Sequence, residues 1–225
     1  MTTTLFVPIK NEIEGLKIIM PRINPAWVEE IIFIDGNSTD GSFEYVKSLG
    51  HTIHRQKSDG ICGAFWEMLD YATCDNIVAF SPDNNSIPEL IPELVSSLNK
   101  GHDMVIVSRY LGAASSDDDD PVTAFGNWMF TKAVNILFRA SYTDSLVIFR
   151  GFKRRLPLDL KMDERNLPLF EMQLSIRCAK FNKNIAEIPG SEPKRIGGVR
   201  KMKPLYNGSA IVYLILKEFF FNWKN

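Results

Sequence analysis

The feature that most constrains this chain is an alternation running through its first half. Short apolar runs at 5–7, 30–34, 52–54, 77–80 and 104–107 are separated by helix-like stretches at 42–49, 62–72 and 88–99. Runs this short read as strands, and helices between successive strands carry the chain back to the same edge of a sheet. The third helical stretch has Pro88 just inside its start and Gly101 just past its end, a normal start and stop pair. The pattern predicts an α/β fold with a mostly parallel central sheet and helices on both faces.

The second half changes character. The segment 115–120 is polar and holds four consecutive aspartates, so it reads as an exposed, solvated loop. Helices are predicted over 125–138 and 171–181, strands over 145–152 and 185–188, and a basic loop over 189–204. An aromatic helix over 205–223 closes the chain. No repeat or linker divides it, and we expect one domain over 1–225. Its first half would span about 1–110, its second about 111–204, and the aromatic helix would follow.

A formal net charge of −1 argues against nucleic-acid binding through a broad basic surface. Cys62, Cys74 and Cys178 form no C-x-x-C pair, which fits small buried thiols in a reducing compartment. The opening MTTTLFVPIKNE has no basic, apolar leader, and nothing approaches the roughly 20 apolar residues of a membrane span. The expected location is cytoplasmic, with contact at the inner face of the membrane as the extension of that reading. His51, His54 and His102 show no ligand spacing.

Ligands of open α/β sheets bind beyond the carboxyl ends of the strands. Four polar clusters fall at such ends: Pro8 to Glu12, Asp35 to Gly41, Ser81 to Asn85, and Ser108-Arg109-Tyr110. Each alone is weak, since loops after strands are polar anyway; their recurrence on one edge is the stronger signal. Asp35 before Gly36 also suits an Asx-turn, and Glu12 also suits the first turn of a helix. The charges of the 194–203 loop also suit a solvated face.

With these residues in view, the chain resembles glycosyltransferase family 2, in particular its dolichyl-phosphate mannosyltransferase-like branch with the GT-A fold. The resemblance covers about residues 4–205. It rests on VPIKNE, on IIFIDGNSTDGS, on DMVIVSRY, on Asp144, Phe149 and Arg150 of DSLVIFR, and on Arg195 to Lys201. It implies that Pro8, Glu12, Asp35, Asn37 and Ser81 line a nucleotide site, with Asp35 bonding the base. It implies that Asp83 binds Mg²⁺ or Mn²⁺ with Asn85 as a further oxygen ligand, and that Arg195 and Lys201 hold the diphosphate. A hard cation with Arg and Lys suits a reaction that releases a nucleoside diphosphate.

The implied activity is a metal-dependent, inverting transfer of a hexosyl group from a GDP- or UDP-linked sugar. The acceptor is a polyprenyl phosphate, with Arg109 and Arg150 as candidate phosphate ligands, or a glycan hydroxyl, with Asp144 or Glu171 as candidate bases. Departures from the family pattern mark a divergent branch: Ser81 at the first acidic position of D-x-D, Asp59 for a lysine, Val147-Ile148 for Ser-Gly, and Arg200 for Ser. A sugar-1-phosphate nucleotidyltransferase or a dehydrogenase would want a glycine-rich loop after the first strand, and Pro8 to Glu12 contains none. A non-catalytic nucleotide-sugar-binding or assembly subunit is the alternative from another class, for which Ser81 leaves room. Phe219, Phe220, Phe221 and Trp223 read as a core or homodimer stripe, or as an interfacial anchor with Lys217 and Lys224 near lipid headgroups.

Overall fold

A computed structural model describes residues 1–162, 169–197 and 204–220. In chain order its elements are β1 (Thr3–Ile9), α1 (Ile13–Ile19), β2 (Glu30–Asp35), α2 (Ser42–Ser48), β3 (Thr52–Arg55), α3 (Gly60–Tyr71), β4 (Asn76–Ala79) and α4 (Ile91–Asn99). There follow β5 (Met104–Ser108), α5 (Pro121–Phe138), β6 (Arg150–Lys153), the single turn α6 (Leu156–Asp159), α7 (Phe170–Lys180), β7 (Ile185–Pro189) and α8 (Pro204–Phe220).

The strands form one sheet in the order β3-β2-β1-β4-β6-β5-β7. All neighbours pair in parallel except β6, which runs antiparallel to both β4 and β5. Inserting one reversed strand between β4 and β5 keeps the carboxyl ends of β1, β2, β4, β5 and β7 on a common edge. That edge is where the polar clusters lie.

Side chains alternate across the sheet, as the strand period of two requires. Leu5, Val7 and Ile9 pack with Phe33, Val78 and Val107 against α1, α2 and α4. Phe6, Ile32, Ile34, Ile77 and Ile106 face the other way, onto α3, α5, α7 and α8. Helices therefore cover both faces, as the sequence predicts.

Two differences have local causes. The apolar run Val147-Ile148-Phe149 reads as strand, yet pairing begins only at Arg150. The preceding segment curls around the Arg150 guanidinium, which donates to the carbonyl oxygens of Ser145 and Val147. Helix α1 escapes the pattern because it is seven residues long with an unremarkable Glu12 at its start.

The aspartate run is not simply solvated. Asp120 accepts from the amides of Val122 and Thr123 and caps α5. The Asp119 side chain is only 4% exposed and accepts from Tyr110 Oη and Asn127 Nδ2.

Candidate functional site

β1 ends at Ile9, and Asn11 with φ of 56° turns the chain sharply into α1. Asn11 Oδ1 accepts from the amide of Thr39, and Ser38 Oγ accepts from the amide of Asn11, so the loops after β1 and β2 brace each other. Ser42 Oγ accepts from the amide of Glu12 and Asp40 from that of Ile13. Four contacts thus fix the start of α1.

The approach of α1 to the loop after β4 is closer than a side chain allows. A Cβ on Gly15 would collide with the Pro82 carbonyl oxygen and lie 3.1 Å from Asp83 Cα. This approach brings Glu12, 6% exposed, beside Asp83, 3% exposed. Arg195 closes the group: Nη2 lies 2.5 Å from Asp83 Oδ2 and Nη1 lies 3.2 Å from Glu12 Oε1. Two nearly buried carboxylates therefore share one guanidinium.

The loop carrying Arg195 is anchored along its length. The amide of Ile196 donates to Asp83 O at 2.8 Å, Asn84 Nδ2 to Lys194 O, and Asn85 Nδ2 to Pro193 O. The amide of Arg195 donates to Asp118 Oδ1 at 3.2 Å. Gly197, at φ of 64°, crosses α1 where a Cβ would strike Glu14. Lys201 lies outside the described residues, as do Arg200 and Lys203.

Asp35 ends β2 fully buried, accepting from the amide of Ser38 at 3.2 Å and from Arg55 Nη1 at 3.3 Å. Arg55 is half exposed and forms the outer side of this carboxylate. Asn37 follows at φ of 61°, directed onto the Gln56 carbonyl oxygen. Pro8 is partly buried in β1, and the amide of Ser81 donates to Ser86 Oγ.

The acceptor-side residues are placed differently from expectation. Arg150 is fully buried, and its donors go to the Ser145, Val147 and Glu171 carbonyl oxygens and to Ser175 Oγ. As placed, its guanidinium is turned to protein oxygens and away from solvent. Asp144 is also fully buried and takes Arg109 side-on, with Nε to Oδ2 at 2.7 Å and Nη2 to Oδ1 at 3.1 Å. Arg109, 7% exposed, is engaged by this carboxylate and by Glu192.

Burial alone would lower the Arg109 pKa, but Asp144 beside it reverses this and holds the guanidinium well above its ordinary value. Burial pushes the Glu171 carboxyl above its ordinary value, against the pull of Arg150. Among the described residues no hydrogen bond or ion pair joins Glu171 to the Glu12–Asp83–Arg195 group.

The fold as a whole defines the class. Over 99% of the chain it superposes on glucosyl-3-phosphoglycerate synthase from Mycobacterium tuberculosis, covering 80% of that protein at a TM-score of 0.75 and 18% identity. That enzyme was crystallised with Mn²⁺, uridine diphosphate and phosphoglyceric acid, and this chain shares its GT-A glycosyltransferase fold. Residues 4–156 match the model of glycosyl transferase family 2, and the chain belongs to that family of enzymes.

An undecaprenyl-phosphate mannosyltransferase of Micrococcus luteus is 25% identical, covering 94% of this chain and 92% of its own length. A polyprenol monophosphomannose synthase of Mycolicibacterium smegmatis is 23% identical, covering 89% of this chain and 80% of its own length.

Sequence reasoning gave no individual role to Gly15, Asn11 or Asp118. An isolated glycine in an unrecognised helix carries no signal until its neighbour is known. Asn11 was readable within the V-P-x-x-N-E motif, but its bracing role depends on the loop after β2.

Proposed function

We propose that the chain transfers a hexosyl group from a GDP- or UDP-linked sugar to a polyprenyl phosphate, inverting the anomeric carbon, with Mg²⁺ or Mn²⁺ held at Asp83 and Asn85. The observation that carries this reading is the shared guanidinium of Arg195 between the buried carboxylates of Asp83 and Glu12. Carboxylates gathered in this way at the strand ends favour a bound cation.

The donor set fits such a cation. Asp83 and Asn85 supply hard oxygens, and Asn85 spends its Nδ2 on Pro193 O, leaving its amide oxygen as the group to offer. Among the described residues no cluster of three or more acids, histidines or cysteines forms a complete cage. Mg²⁺ and Mn²⁺ complete their shells with phosphate oxygens and water, so few protein ligands are needed. When bound, the cation would supply Lewis-acid neutralisation of the departing diphosphate.

Arg195 is the protein's own counter-charge for that diphosphate, since its charged donors suit phosphate oxygens once Asp83 is otherwise engaged. Lys201 is assigned the same role from the sequence. The base stacks by Pro8 and reaches Asp35 when Arg55 swings outward.

An acceptor oxygen attacks the anomeric carbon opposite the diphosphate. The new C–O bond forms as the bond to the diphosphate breaks, and the electron pair leaves with the nucleotide. A phosphate monoester is already anionic and needs no base. The burial of Asp144 under Arg109 favours such an acceptor over a sugar hydroxyl, as do the names of the two relatives.

The test is turnover of a nucleotide-sugar panel with Mn²⁺, using a detergent-dispersed short-chain polyprenyl phosphate or the corresponding alcohol. Transfer is expected to the phosphate alone, and Asp83→Ala is expected to abolish metal-dependent transfer while melting cooperatively. Equal transfer to the alcohol, or a variant that still responds to metal, overturns the assignment.

A further inference from the structure

Helices α5 and α8 are apolar on the side that faces away from the protein. Each buries an inner stripe in the same core: Val134 and Phe138 from α5, Ile211, Leu214 and Ile215 from α8. They lie side by side and run in the same direction, with Gly208 against Phe130 and Phe219 edge-on to Phe138 at 6.4 Å. Their outer stripes therefore look away from a common core.

On α5 the outer stripe follows helical spacing through Val122, Phe125, Met129, Lys132 and Ile136, with Ile136 76% exposed, and Arg139 stands exposed just past its end. On α8 it runs through Tyr206, Val212, Tyr213, Leu216 and Phe220, with Phe220 74% exposed, and the partly exposed Lys217 lies on the same side. A helix apolar on both sides has a second partner besides its own core.

We infer that the outer faces of α5 and α8 form one docking surface for an anionic lipid bilayer, an inference that rests on the polyprenyl-phosphate reading of the acceptor. Charge selects the occupant. Lys132 in the α5 stripe and Arg139 just past it stand exposed without an ion pair among the described residues. Helix α5 contains no Asp or Glu, and Glu218 of α8 is buried at 1% exposure against Arg177 and Lys180.

A two-fold dimer through this face would set those cations against their own copies with no acid to answer them. Anionic headgroups supply that charge, while Trp128, Tyr206 and Tyr213 are the residue types that settle at a membrane interface. The exposed acids nearby, Asp117 and Asp120, precede α5 at the end that meets the Arg195 loop. The surface thus lies beside the catalytic edge. Among the described residues no helix is long and apolar enough to cross a membrane, so the contact is along the surface.

Flotation with phosphatidylcholine vesicles, with and without phosphatidylglycerol, tests this without substrate. The wild type is expected to float with the anionic vesicles. Phe125→Ser with Tyr213→Ser should abolish flotation. Lys132→Gln with Arg139→Gln should weaken it roughly thirtyfold, from about 1 kcal/mol per cation at an anionic surface. Both pairs should keep wild-type melting and wild-type transfer to the detergent-dispersed acceptor. Flotation unchanged in both variants overturns the inference, as does a wild type that ignores vesicles and sediments as a dimer which Phe125→Ser with Tyr213→Ser dissociates. Vesicle binding without any transfer to polyprenyl phosphate would instead overturn the acceptor reading and leave the surface standing.

Discussion

Arg150 and Arg195 show how one side chain type takes opposite roles by position. Arg150 sits at the start of β6 with its guanidinium ringed by protein oxygens, and it organises the turn before the strand. Arg195 is a fifth exposed, and its guanidinium is held by two acids that a ligand can claim. Arg150→Met should therefore cost about 3–5 kcal/mol in chemical denaturation, because it strands several buried acceptors. Below its melting transition the variant should keep the wild-type KM for polyprenyl phosphate. A normal melt with a raised KM would return Arg150 to the acceptor site. Sequence could not separate the two arginines: both stand in family motifs, and burial is set by segments far along the chain.

At the scale of elements, the sheet was legible because its signal is local. The strand at 104–107 needs only its own apolar run, and the helix over 88–99 only its proline and glycine. What was not legible is contact between elements, and Gly15 is the sharpest case. Gly15→Ala would push α1 off the Pro82–Asp83 turn, costing about 1–3 kcal/mol of stability through overpacking. It should also weaken donor use, since a displacement near 1 Å costs up to roughly a hundredfold in rate. Gly126 in α5 is the matched control, since a Cβ there meets only Phe130 at 4.0 Å. Gly126→Ala should stabilise by about 0.5–1 kcal/mol and leave kcat/KM unchanged. Equal kinetics for the two variants would mean that the close approach of α1 does not position Glu12 and Asp83.

For the molecule as a whole, Arg109 joins segments that the sequence keeps far apart. Its guanidinium reaches Asp144 ahead of β6, Asp119 ahead of α5 and Glu192 after β7. Glu192 is lifted above the ordinary 4.5 by burial, and Arg109 pulls it back toward ionisation. Arg109→Met removes that pull, so the folded-state pKa of Glu192 should rise further. A carboxyl raised in the folded state favours folding below its unfolded value, and that contribution is lost as pH climbs through the folded value. The variant should therefore lie closer to wild type near pH 4.5 and fall away toward pH 8. A tenfold weaker acidity of Glu192 in the folded protein would widen the gap by about 1.4 kcal/mol. Urea denaturation of both proteins at the two pH values gives the comparison, and Arg109→Met with Glu192→Gln should narrow it, with Asp144 and Asp119 still lacking their cation. A gap that stays constant with pH would mean that Arg109 acts through packing alone, and that the three acids are not electrostatically joined through it.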